Sequence, residues 1–164
     1  MTVTARLNTA VDTRDAASKM WNAEERKGKF VGLLLRMRHP RATVLLYPTG
    51  RMVCLGCKSY LDSTDAFNRI ARRLNALYDK NYVVSHIEIR NIVASVRFSP
   101  IDIHRMCSCE RVCSSELFPG VSVRFDRASA TLFASGCVHL TGVSDFVELS
   151  ELYHRVVNFV GAYI

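Results

Sequence analysis

Apolar and polar positions along the chain change period in a fixed order, and that order occurs twice. Val44-Leu45-Leu46-Tyr47 and Met52-Val53-Cys54-Leu55 are strand-like runs flanking Pro48-Thr49-Gly50, the arrangement of a hairpin. Ala130-Thr131-Leu132-Phe133 and Val138-His139-Leu140-Thr141 repeat it around Ser135-Gly136, and Gly56 and Gly142 follow at the same offset. Each copy then changes to helical spacing. Phe67, Ile70, Ala71 and Leu74 align with Tyr153, Val156, Val157 and Val160, apolar at i, i+3, i+4 and i+7.

Further strands are predicted at Phe30 to Met37 and at Val121 to Phe125, and Tyr82 to Phe98 is a β-rich stretch joining the copies. Short helical segments are predicted at Thr13 to Trp21, capped by Asp12 or Thr13, and at Pro100 to Cys107. The expected architecture is α+β, with residues 1–84 and 85–164 as two repeats of one structural unit. They would form one antiparallel sheet with helices on one face. The other face would carry apolar residues with no helix over them, because both strand faces are apolar: Leu45 and Tyr47 alternate with Val44 and Leu46, and Met52 and Cys54 with Val53 and Leu55. Such a face calls for a partner. Pattern alone equally allows strands sandwiched between two layers.

Composition narrows the partner. The chain of 164 residues has a formal net charge of +7, which favours a polyanion, nucleic acid ahead of an acidic protein. The longest apolar run, Phe30 to Leu35, is too short to cross a bilayer, and the N-terminus lacks a signal-peptide pattern, so a soluble, intracellular protein is expected. The 6 cysteines are then expected as thiols. His104, Cys107, Cys109 and Cys113 have zinc-compatible chemistry and Cys54-x2-Cys57 supplies another pair, but neither spacing is that of a standard finger. Cys54 and Cys57 should point to opposite faces of a strand, and no metal or cofactor is expected. No phosphate loop, carboxylate pair or nucleophile elbow appears, so no catalytic residue is assigned.

Asn22-Ala23-Glu24, Phe30, Arg36-Met37-Arg38-His39-Pro40-Arg41, Thr49-Gly50-Arg51-Met52-Val53, Gly56 and Lys58-Ser59 resemble the first repeat of the TATA-box-binding protein family. Asn91-Ile92-Val93, Glu116-Leu117-Phe118-Pro119-Gly120, Ser135-Gly136 and Leu140-Thr141-Gly142 resemble its second repeat. The resemblance implies a saddle-shaped fold, helices on its convex face, whose concave face lies on the minor groove of double-stranded DNA. It makes Phe30, Tyr47, Phe118 and Phe133 intercalating wedges, Asn91, Val93, Val53 and Thr141 groove contacts, and Arg36, Arg51, Lys58 and Arg124 phosphate contacts. It also implies a general transcription factor, nuclear or in the host cell's transcription compartment if viral, monomeric or a weak homodimer. Glu116 and Leu117 would meet TFIIB-like factors, and Arg69, Arg72 and Arg73 TFIIA-like factors. Without the resemblance, the four aromatics read as core and the arginines as a solvated helix face.

The sequence also departs from the family. Its first-repeat Asn would fall just before Met1, and Leu55 stands where a Thr is usual. Ser129, Thr131, Cys137, His139 and Ser144 replace apolar or basic residues, Ser114 an acidic one, and the span from Phe118 to Phe133 is shorter than that from Phe30 to Tyr47. A second class of function is therefore a protein–protein scaffold that keeps the fold and has lost TATA recognition.

Overall fold

The computed structural model describes every residue except Lys27, Lys29, Phe30, Glu110 and Glu116, and the side chain of Ser115. The chain forms two compact units, Met1–Arg90 and Asn91–Ile164. The first contains β1 (Thr2–Leu7), α1 (Thr13–Lys19), β2 (Ala23–Arg26), β3 (Gly32–Met37), β4 (Ala42–Leu46), β5 (Arg51–Leu55) and α2 (Tyr60–Tyr78). β6 (Val84–Arg97) gives its first half to this unit and its second half to the next. The second unit continues with α3 (Ile103–Met106), β7 (Val112–Ser115), β8 (Phe118–Phe125), β9 (Ala128–Phe133), β10 (Cys137–Val143) and α4 (Phe146–Val160). Strand order is β2-β3-β4-β5-β1-β6 in the first unit and β6-β10-β9-β8-β7 in the second.

Both hairpins form because a glycine at positive φ closes each turn, Gly50 at 81° and Gly136 at 82°. A Cβ on Gly136 would lie 2.2 Å from the carbonyl oxygen of Phe98, so the residue is required for space as well as for conformation. Each of the four helices among the described residues starts on an oxygen-bearing cap: Asp12, Ser59, Asp102 and Asp145 each accept a backbone N–H of the first turn.

One face of each sheet is covered. In the first unit Val3, Ala5, Leu7, Leu33, Leu35, Val44, Leu46, Met52 and Cys54 meet Phe67, Ile70, Ala71 and Leu74 of α2 in a single buried cluster. Each fully buried Leu or Phe there contributes roughly 1.5–3 kcal/mol. Asp15 ties α1 to α2, accepting from Lys19 Nζ and from the Tyr78 hydroxyl, both at 2.7 Å. Those bonds, Lys19 first, hold the Asp15 carboxyl below its ordinary range, while burial and the Asp15 bond push the Tyr78 phenol up. In the second unit Val121, Val123, Ala130, Leu132, Val138 and Leu140 are buried, as are Leu152, Val156 and Val160 of α4.

Several expectations need correction. Tyr153 is 38% exposed, although its counterpart Phe67 is fully buried. The equivalent of Ala66 is Leu152, large enough to fill the inward position, and Tyr153 lies on the rim. Cys54 and Cys57 do not diverge: their sulfurs are 3.3 Å apart and both residues are buried. β5 ends at Leu55, and Gly56, at φ 85°, turns the chain so that Cys57 returns beneath Cys54. Burial, then the Cys57 neighbour, push the Cys54 thiol up to about 12. Trp21 lies beyond the end of α1, and the helix expected over Pro100 to Cys107 is only the four residues of α3. Phe30 lies outside the described residues, and its strand begins at Gly32. No helix is long and apolar enough to cross a membrane among the described residues.

Candidate nucleic-acid interface

The sheet faces turned away from the helices bring together most residues expected at a groove. In the first unit strand alternation puts Thr2, Thr4 and Arg6 of β1, Arg51, Val53 and Leu55 of β5, and Thr43 and Leu45 of β4 on this face, with Tyr47 just beyond the end of β4. The equivalent face of the second unit carries Asn91, Val93, Ser95 and Arg97 of β6, Cys137, His139 and Thr141 of β10, Ser129, Thr131 and Phe133 of β9, and Ser122 and Arg124 of β8. Val93 is 55% exposed and Leu55 38%, so apolar surface does stand uncovered on each unit.

Asn91 is held by its own sheet. Its Oδ1 accepts the Gly142 N–H at 3.0 Å, and its amide lies 3.4 Å from the Thr141 hydroxyl. Gly142, at φ 90°, sits where the β6–β10 register shifts, which turns this N–H toward the side chain. With the oxygen committed to Gly142, the amide nitrogen has one N–H beyond the one it can give to Thr141. Arg90 beside it donates from Nε to Thr4 Oγ1 at 3.1 Å and pairs with Glu88 at 2.7 Å. Sequence reasoning missed this Arg–Glu pair; in the first half of β6 Ile87 and Ile89 pack against the covered core, which leaves Glu88 and Arg90 on the open face.

The Phe118 and Phe133 rings pack at 5.7 Å between centroids, tilted by 59°, and Phe118 is 49% exposed. Gly120 lies beneath both: a Cβ there would sit 3.0 Å from each ring edge. The ring of His139 meets Phe133 edge-on at 5.6 Å. Tyr47 is partly buried beside its hairpin turn, where its N–H donates to the Arg51 carbonyl at 2.8 Å.

Register makes Arg36 and Arg124 equivalent, for Arg36 pairs with Thr43 and Arg124 with Ser129 at matching places on β3–β4 and β8–β9. Both are exposed, as are Arg51 and Lys58. The same register puts the first-unit counterpart of Asn91 before Met1, since Val3 pairs with Cys54 as Ala94 pairs with Leu140.

The expected protein-contact residues are less uniform. Arg69 and Arg72 both lean on Asp65, at 2.7 and 3.7 Å, which offsets part of their charge. Arg73 instead donates to Asn22 Oδ1 at 3.2 Å and lies over the Trp21 ring, 5.8 Å from its centroid. Trp21, 81% exposed, was hidden from sequence reasoning because it extends the helical spacing of α1. Leu117 is 97% exposed, and Glu116 lies outside the described residues. Among the described residues no three His, Cys, Asp or Glu side chains cluster as metal ligands would.

The family model described as transcription factor TFIID, or TATA-binding protein, matches residues 1–77 and 86–162. The chain belongs to the TATA-box-binding protein family. It is 35% identical to TATA box-binding protein-like 2 of Rattus norvegicus over 94% of this chain and 46% of that one. It is 30% identical to the TATA-box-binding protein of Acetabularia peniculus over 93% and 83% of the two chains. It thus spans about half the length of the rat relative and most of the algal one. The solved structure of Methanococcus jannaschii TBP superposes with a TM-score of 0.83 at 24% identity, covering 98% of this chain and 95% of that chain. The fold is therefore the α+β fold of TATA-box-binding proteins, a family of transcription factors and not of enzymes.

Proposed function

We propose that this TATA-box-binding protein family member binds double-stranded DNA in the minor groove across the open faces of its two units and bends it. The observation that carries this reading is the Phe118–Phe133 pair, seated on Gly120 at the end of an open sheet face with Phe118 half exposed. An apolar wedge between base steps costs a few kcal/mol of unstacking, offset by the added surface that bent DNA covers. Phe30 and Tyr47 are the corresponding wedge of the first unit. Asn91 and Thr141 donate to groove acceptors, and Val53 and Val93 make apolar contact with the groove floor.

Exposed cations surround these faces: Arg6, Arg36, Arg51, Lys58, Arg97 and Arg124. They neutralise phosphates and supply much of the affinity. Leu117 with Glu116, and Arg69, Arg72 and Arg73, are contact surfaces for TFIIB-like and TFIIA-like factors, and the protein acts in the nucleus as a general transcription factor. The scaffold alternative, with TATA recognition lost, draws support from the polar residues His139 and Thr131 on the second unit's open face.

Equilibrium binding to an A·T-rich duplex across a salt series tests the reading. With about six phosphates neutralised, log K against log salt falls with a slope near −5. A flat response, or no binding at low salt, rejects it in favour of the scaffold.

A further inference from the structure

Strand register aligns one transverse row of side chains across the open face of each unit, and the two rows differ in chemistry. In the first unit Thr4 pairs with Val53, Val53 with Leu45, and Leu45 with Leu34. In the second Ser95 pairs with His139, His139 with Thr131, and Thr131 with Ser122. The rows are equivalent, since each crosses the shared or first strand and then three successive hairpin strands at matching positions. Beyond its first member the first row is wholly apolar. The second is polar throughout.

The second row is also organised. Ser95 Oγ and His139 Nδ1 are 2.8 Å apart, the His139 ring is steadied edge-on by Phe133, and Cys137 Sγ lies 3.9 Å from Nε2. No acidic residue belongs to this row. In the first unit Arg90, paired with Glu88, donates to Thr4, the one hydroxyl of the row, and Val53, Leu45 and Leu34 have no hydrogen-bonding side-chain group.

Minor grooves differ at one point that this contrast can read. A·T and T·A pairs present acceptors alone, whereas G·C adds the guanine 2-amino donor. Val53 and Leu45 have no acceptor for that donor, so a G·C pair beneath them strands a buried amino group, and Leu34, 7% exposed, offers none either. Hydroxyls, and an imidazole with one donor and one acceptor nitrogen, can serve either kind of pair. We infer that the two half-sites are read by different rules: A·T only under the first unit, G·C admitted under the second through His139 and Thr131. The protein would therefore sit on DNA in one orientation, set by the contrast between rows. This inference rests on the DNA-binding reading above.

Selection from a random duplex pool at moderate salt tests it with three proteins. The parent is expected to enrich sites with one half of A·T pairs and G·C pairs confined to the other, a G·C in the first half weakening binding about ten-fold or more. The double variant His139→Val, Thr131→Leu, which copies the first row, should lose G·C from the second half and leave the first unchanged. Val53→His, the converse change, should admit G·C to the first half, and circular dichroism checks that each variant is folded. Equal G·C content in the two halves for the parent, or variants that select the parent's sites, would overturn the inference while leaving DNA binding intact. A parent that retains no duplex overturns the DNA-binding reading and this inference with it.

Discussion

Gly120→Ala places a methyl group in the most crowded part of the proposed wedge. Its Cβ would stand 2.9 Å from the Leu132 carbonyl oxygen and 3.0 Å from the nearest edge atoms of both the Phe118 and Phe133 rings. Ordinary carbon–carbon contact needs about 3.5–4.0 Å, so each ring must retreat by half an ångström or more. Phe118, half exposed, can swing outward, but Phe133 is backed by His139 and the Leu132 carbonyl belongs to a paired strand. Overpacking of this kind costs roughly 1–3 kcal/mol, and loss of the ring pair is worth about 0.5–1.5 kcal/mol of that. For a chain of this size the melting temperature should fall by about 3–9 °C.

Gly32→Ala is the matched control. Its Cβ would meet the Leu46 carbonyl at 2.8 Å, a backbone clash like that at Gly120, with the Tyr47 Cα at 3.7 Å. Both variants should therefore melt lower by similar amounts, followed by far-ultraviolet circular dichroism. Gly120→Ala, which presses on two rings, should reduce the DNA bend more than Gly32→Ala, its counterpart opposite Tyr47, read from energy transfer between end labels. A Gly120→Ala protein that melts with the parent and bends DNA as the parent does would refute the placement of the ring pair over this residue.

Two further predictions concern the fold and its chemistry. Asp15 has its pKa lowered by Lys19 and Tyr78, so its contribution to stability is complete well above the ordinary value of 3.8 and is lost as pH falls through that value and the lower folded one. Asp15→Asn should accordingly lower the melting temperature at neutral pH and have little effect in strong acid; an equal loss at both would remove the carboxylate from the explanation. Cys54 and Cys57 are buried whereas Cys107 and Cys113 are exposed, so a maleimide should label the latter two in the native protein and reach the former only on unfolding. Peptide mass mapping that finds Cys54 modified as fast as Cys107 would contradict the packing.

Much of this fold can be read from repetition. Gly50 and Gly136 punctuate two hairpins, and helical spacing after each locates α2 and α4 because their buried stripes recur. β2 and β7 were not legible, for they are edge strands: Ala-Glu-Glu-Arg in β2 has no apolar alternation, and its pairing to β3 alone supports it. The meeting of Cys54 with Cys57 was equally hidden, because it depends on the left-handed turn at Gly56 rather than on strand alternation. Candidate groove residues were found by resemblance, but the faces they share were not. The repeat already sets Val53 against His139 and Leu45 against Thr131; register adds that Val53 lies beside Leu45, and His139 beside Thr131, in one row on each open face, and with it the chemical contrast between them.

The bend angle of a short end-labelled duplex, measured by fluorescence energy transfer with the parent and with Phe118→Ala, tests the central claim most directly. Phe118 is half exposed, so its removal should cost the fold little more than the ring pair, on the order of 1–2 kcal/mol, and leave the protein folded. The account predicts that the parent bends the duplex sharply and that Phe118→Ala, still bound at low salt through the cationic rim, loses most of the bend. A Phe118→Ala protein that bends the duplex as far as its parent would contradict it.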